Sequence, residues 1–247
     1  MTQESDLLKK IKASMFTSCE DALFFSDDET QLISAEYLLT VNTAKAIKEL
    51  NTYFGTPYKI CLENNTKQFS TACTPSLKLD KNFNSIHQAR NNTKRSGRID
   101  IAVYTHDNVS YVPVCAIEIK GFNPPKSLVI KDIERNSEYF SFVSPTGSSI
   151  LPFAFFIALY SYKNVWNNET EALNISKIEN RYKKYISSVA NINHLSHDVN
   201  VFTIRRGYIP NPDDPNVQEN GLQGDEDYHF IGVVVTTKKT NKAIKRN

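Results

Sequence analysis

Apolar residues recur along this chain with two different periods, and each change of period marks a new element. In the first twenty residues Leu7, Leu8, Ile11 and Met15 fall on one side of a short helix. Ser26, Asp27 and Asp28 are N-cap candidates for a second helix over about 29–51, which stops before Gly55 and Pro57. From Thr30 to Ala44 that helix carries one charged side chain, Glu36, at the edge of a stripe flanked by Leu32, Ala35 and Leu39. Tyr58 to Glu63 reads as a first strand. Residues 64–96 are polar and irregular, with a short helix expected near 84–90. Period two returns in two apolar stretches between Gly97 and Gly121. Gly-Phe-Asn-Pro-Pro then breaks the pattern, and a helix follows over 127–140, then a loop over 141–149. Leu151 to Tyr160 is almost wholly apolar, as a strand covered on both faces must be. A helix over 169–190, a strand over 199–205, an acidic loop over 210–227 and a strand over 230–237 complete the pattern. Helix, strand, strand, strand, helix, strand, helix, strand, strand predicts one α/β domain, a mixed sheet with helices on both faces.

The stretch from Gly97 to Gly121, GRIDIAVYTHDNVSYVPVCAIEIKG, carries acid where core strands should have none. Asp100, Ala102 and Tyr104 share one face of the first strand; Val114, Ala116, Glu118 and Lys120 share one face of the second. A hairpin folded symmetrically about Val109 sets Asp100 directly across from Glu118. Opposed side chains in an antiparallel pair lie roughly 5 Å apart. Two like charges at that distance repel by about 3 kcal/mol at an effective dielectric near 20. A bound divalent cation reverses the sign of that interaction, since hard cations such as magnesium take carboxylate oxygens and keep waters.

Asp100 followed by the Glu118-Ile119-Lys120 triplet at a strand end resembles the PD-(D/E)XK nuclease superfamily. The resemblance spans roughly Glu36 to Tyr160. It implies a restriction-endonuclease-like core over about 29–161, αβββαβ, with an additional C-terminal helix and strands. Residues 1–28 would be an N-terminal helical extension and 238–247 a basic tail of the single domain. Glu36, Asp100, Glu118 and Lys120 fall on the family's acidic and basic positions in order, although Ile99 stands where the motif has Pro. The implied activity is a magnesium-dependent phosphodiesterase, with manganese as a substitute, acting as a DNA endonuclease in restriction, phage defence, mobile elements or repair. The metal would take Asp100, Glu118, the carbonyl of Ile119 and Glu36; Lys120 would orient water or stabilise developing charge.

Alternatives remain at each position. Asp100 could pair with Arg95 or Arg98, Glu118 and Lys120 could alternate on a solvated face, and Glu36 could cap or pair within its helix, with Glu63 as a reserve carboxylate. Lys94, Arg95 and Arg98, and Lys131 with Arg135 in K-D-x-x-R spacing, are candidate phosphate contacts or solvated cations. A non-catalytic nucleic-acid-binding or assembly module and an RNase toxin are the rival functions, RNA the rival partner.

Composition narrows the rest. The 247 residues are 40% hydrophobic and 23% charged with a formal net charge of +2, an ordinary globular balance in which any basic surface must be local. Four cysteines have no metal-like spacing, and Cys61 and Cys115 fall in apolar strands, which predicts free thiols. Five histidines lack zinc-like spacing and are expected at surface or turn positions. No apolar stretch suits a signal peptide or a membrane span, so a cytosolic protein is expected, without a membrane partner and with a homodimer or a targeting partner as options.

Overall fold

The computed structural model describes residues 3–25, 35–54, 58–75, 96–106, 111–144, 147–163, 168–190, 192–210 and 225–240. Lys94, Arg95, the expected helix near 84–90, most of the acidic loop and the end of the basic tail lie outside them.

Helices α1 (Gln3–Phe24) and α2 (Ala35–Phe54) bury the stripes that their periodicity announces. Leu7, Ile11 and Met15 of the first meet Leu39 and Ile47 of the second in one core. A buried hydroxyl pair, Ser14 to Thr43 at 2.8 Å, sits inside that contact. The N-terminal helix is thus packed into the main core. Strand β1 (Lys59–Asn65) leads into a short helix absent from the sequence-based expectation, α3 (Thr66–Ala72). Asn65 caps it by accepting from the amides of Lys67 and Gln68 at 2.9 and 3.3 Å, while Phe69 and Cys73, one turn apart, are buried.

Next come β2 (Arg98–His106), β3 (Tyr111–Phe122), α4 (Lys126–Glu138), the two-residue strands β4 (Val143–Ser144) and β5 (Gly147–Ser148), and β6 (Phe153–Lys163). The small β4–β5 ladder lies inside the segment expected as a loop. Helix α5 (Asn168–Ser187) and the strands β7 (Leu195–Pro210) and β8 (Asp225–Lys239) follow, both strands longer than their apolar patterns suggest. Six strands form one mixed sheet in the order β1-β2-β3-β6-β8-β7, in which only β3 and β6 run parallel. Such a parallel step needs a crossover, and α4 provides it.

Alternation along the strands divides the core between the two faces. Cys115, Ile117 and Ile119 of β3 with Phe155 and Ile157 of β6 pack toward α1 and α2. Phe156, Ala158 and Tyr160 pack toward Val129 and Ile133 of α4 and Ile178 and Tyr182 of α5. Every residue from Phe153 to Tyr160 is buried, as the apolar run requires of a central strand. All four cysteines are free; Cys19, Cys73 and Cys115 are buried and Cys61 is partly so. His229, expected at a surface or turn, is fully buried on β8 and hydrogen-bonded to Thr203 at 2.8 Å. Among the described residues no helix is long and apolar enough to cross a membrane.

Candidate active site

The hairpin ladder decides which acids can meet. Near the turn the pairs Tyr104↔Pro113 and His106↔Tyr111 are centred between residues 108 and 109. A bulge between Val103 and Tyr104 shifts the register by one, so that Val103 faces Cys115 and Ile101 faces Ile117. Continued by one residue, that register sets Asp100 opposite Glu118. Asp100 does not pair with Arg98; its Oδ2 accepts the backbone N–H of Ile119 at 2.6 Å. Arg98 is exposed, with Nη1 3.9 Å from the Glu63 carboxylate. Glu63, flanked by the pairs Leu62↔Ile101 and Asn64↔Ile99, sits opposite Asp100 on the other side of β2 and has a positive φ of 51°.

Lys120 stands at the end of β3, where the β3–β6 register slips between Lys120 and Phe122. The residue inside that slip is Gly121, and its lack of a side chain matters. A Cβ there would lie 3.2 Å from the backbone nitrogen of Glu36. The start of α2 can thus press onto the strand and hold Glu36 over the site. Lys120 Nζ reaches Glu36 Oε1 at 3.5 Å, Asp132 Oδ2 of α4 at 3.1 Å, and donates to the Ile119 carbonyl at 2.6 Å. One ammonium therefore ties together the helices of both faces.

Arg135 closes the arrangement from α4. Its Nη1 lies 3.0 Å from both Glu118 oxygens and 3.2 Å from the Arg98 carbonyl, and its Nη2 lies 3.6 Å from Asp132 Oδ1. Sequence reasoning places Arg135 with Lys131 as a phosphate contact; in the fold its guanidinium turns inward while Lys131 is exposed. Asp132 is the member that sequence reasoning missed. Only 3% exposed, it bridges Lys120 and Arg135. Its position between Val129 and Ile133 on the apolar stripe of α4 was the available signal, since a solvated acid has no reason to occupy a buried stripe.

Four carboxylates (Glu36, Asp100, Glu118 and Asp132) meet two cations here, so that full ionisation would leave an excess of two negative charges. Burial pushes the Glu118 carboxyl up to about 8, with the Asp100 charge adding to the rise and Arg135 opposing it. Burial likewise raises Asp100 to about 6, against the Ile119 amide and Lys120. For Lys120 burial acts downward, but Asp132, Glu36 and Asp100 together outweigh it and hold the ammonium above its ordinary range. Lys120 therefore stays charged at neutral pH, whereas the two strand acids are short of positive partners.

No family model, no curated protein and no solved structure matches this chain.

The residues suit a hard cation in kind. All donors are oxygens, and with every carboxyl ionised the cluster is two positive charges short. Among the described residues no set of three or more His, Cys, Asp or Glu side chains is gathered as a metal-binding group. Asp100, Glu118 and the Ile119 carbonyl are the donors that neighbouring strands present together. An ion held there would have to compete with Arg135 for the Glu118 oxygens and with Lys120 for the carbonyl.

Proposed function

We propose that this protein is a magnesium-dependent nuclease of restriction-endonuclease-like fold, hydrolysing phosphodiester bonds, with DNA as its substrate. The observation that carries this reading is the meeting of Asp100, Glu118, Lys120 and Glu36 at one rim of the sheet, at a cost in buried charge that folding alone does not need. The order α2-β1-β2-β3-α4-β6, interrupted by the short α3 and the two-residue β4 and β5, is antiparallel through β3 and parallel between β3 and β6, which supports the family resemblance carried by the Asp100 and Glu118-Ile119-Lys120 motif.

Asp100, Glu118 and the Ile119 carbonyl, with Glu36 beside them, would hold the ion, which when bound supplies a more acidic water and neutralises charge on the phosphate. Each remaining role belongs to the chain itself. Lys120, kept protonated by Asp132 and Glu36, orients the attacking water and stabilises charge developing on the phosphoryl oxygens. Asp132 is a positioning residue that fixes Lys120 and Arg135 at once. Arg135 balances Glu118 until an ion takes over that task. Manganese, with the same preference for oxygen, substitutes for magnesium.

A second reading has one observation behind it. Both oxygens of Glu118 are already engaged by Arg135, as they would be in a non-catalytic nucleic-acid-binding module. Incubating the protein with supercoiled plasmid, single-stranded DNA and RNA, in magnesium or chelator, separates the two. Magnesium-dependent DNA cleavage is expected, falling at least ~100-fold in Asp100→Asn and in Lys120→Met. Cleavage of RNA alone would make the protein a ribonuclease. No cleavage of any substrate, or cleavage surviving in both variants, overturns the proposal.

A further inference from the structure

Away from the acidic centre, α5 carries a second chemical pattern. Lys177, Asn180, Arg181, Lys184 and Tyr185 recur at the spacing of one helix face and turn toward the start of α4. With Lys126, the first residue of α4, they line a cavity of about 430 Å³. Its wall holds four cations and no acid. None of the four has a carboxylate partner among the described residues, whereas the neighbouring Lys183, outside the cavity, is paired with Glu179. Lys126 lies over the Tyr185 ring at 5.8 Å, and Arg181 over the Tyr160 ring at 5.6 Å. The aromatic faces hold the cations in place without neutralising them. The first turn of α4 adds to the same potential, for it contains no acidic residue and its N-cap, Pro125, makes no side-chain cap.

Four like charges around one open cleft make a local positive potential that favours an anion. We propose that this cleft is a phosphate-binding anchor that grips the backbone of a nucleic-acid strand running into the acidic centre. The identity of the polyanion rests on the nuclease reading; the preference for an anion rests on the cleft alone. The distance agrees. Lys126 precedes Asp132 by six residues on the same helix, about 9 Å along its axis. That spans two or three nucleotide steps at roughly 3.4 Å each. A grip on phosphates carries no base preference, so the anchor positions any sequence equally.

Fluorescence anisotropy of labelled duplex DNA, single-stranded DNA and RNA, in chelator over a series of salt concentrations, tests the anchor without cleavage. The Lys177→Gln/Arg181→Gln/Lys184→Gln variant is expected to bind at least tenfold more weakly at low salt. Its slope of log affinity against log salt should be shallower by roughly 0.7–0.9 for each phosphate that is no longer neutralised, whatever the sequence. Lys183→Gln should bind as wild type does. If the loss of Arg181 unsettles the fold, Lys177→Gln/Lys184→Gln, which changes two exposed side chains, should show the same trend in smaller measure. A folded triple variant with unchanged affinity and slope overturns the anchor. So does a wild type that binds vesicles of anionic phospholipid but no nucleic acid. Cleavage is scored separately. Binding without cleavage leaves the anchor and removes the catalytic reading; cleavage with unchanged KM in the triple variant does the reverse.

Discussion

Glu118→Gln should make the metal-free protein more stable at alkaline pH. Glu118 is 1% exposed, and its carboxyl is pushed from 4.5 up to about 8. The folded chain therefore holds a proton that the unfolded chain has released over that whole window. Stability falls with pH wherever the folded state binds more protons. At about 1.4 kcal/mol for each pH unit, the full window is worth up to about 5 kcal/mol in the wild type. Asp100, raised from 3.8 to about 6, adds a smaller loss of the same sign at lower pH. Glutamine keeps the shape of the protonated acid and cannot ionise. The variant should match the wild type near pH 4.5 and exceed it by several kcal/mol above pH 8. For a chain of this size each kcal/mol moves Tm by roughly 2–4 °C. Urea unfolding of both proteins in chelator, at half-unit steps from pH 4.5 to 8.5, reads the difference directly. Parallel curves across that range would refute the claim that burial keeps the Glu118 carboxyl protonated in the folded chain. Such a gain, joined to lost activity, is the mark of a site that trades stability for chemistry.

Gly121→Val should displace the start of α2, because a Cβ already comes within 3.2 Å of the Glu36 amide. About 1–3 kcal/mol of stability is expected to go, together with the Lys120–Glu36 ion pair, and thermal melting with magnesium titration checks both. Asn123, the turn residue between β3 and α4, has a φ of 50° and bridges to Ser161 through its side chain at 2.9 and 3.2 Å. Asn123→Val should cost about 2 kcal/mol, while Asn123→Gly, which tolerates the backbone but loses the bridge, should cost less; denaturant midpoints decide the order.

The facing of Asp100 and Glu118 was legible because alternation fixes the face and hairpin symmetry fixes the partner. It was reached, however, for an incomplete reason. The turn-proximal ladder is centred half a residue earlier than Val109, and only the bulge at Val103 and Tyr104 brings the two acids level. Without that extra residue Asp100 would face Ile117. The apolar run of β6 and the stripe of α1 were equally plain, since burial leaves a mark in composition. Asp132 went unread despite its place on the apolar stripe beside Val129 and Ile133, because K-D-x-x-R also fits a solvated helix; the approach of Lys120 from β3 decides between them. The cations of α5 likewise read as an ordinary charged face until the start of α4 is set beside them. Helix α3 was hidden by its polar surroundings, its one clue being Asn65 ahead of Phe69.

Lys120 receives its partners from segments that the ribosome delivers at very different times. A nascent chain released only through β2 carries Glu36 and Asp100 but neither the ammonium nor Asp132 and Arg135. The assembly around Lys120 is thus a property of the finished sheet, and a chain that stops short of α4 cannot form it.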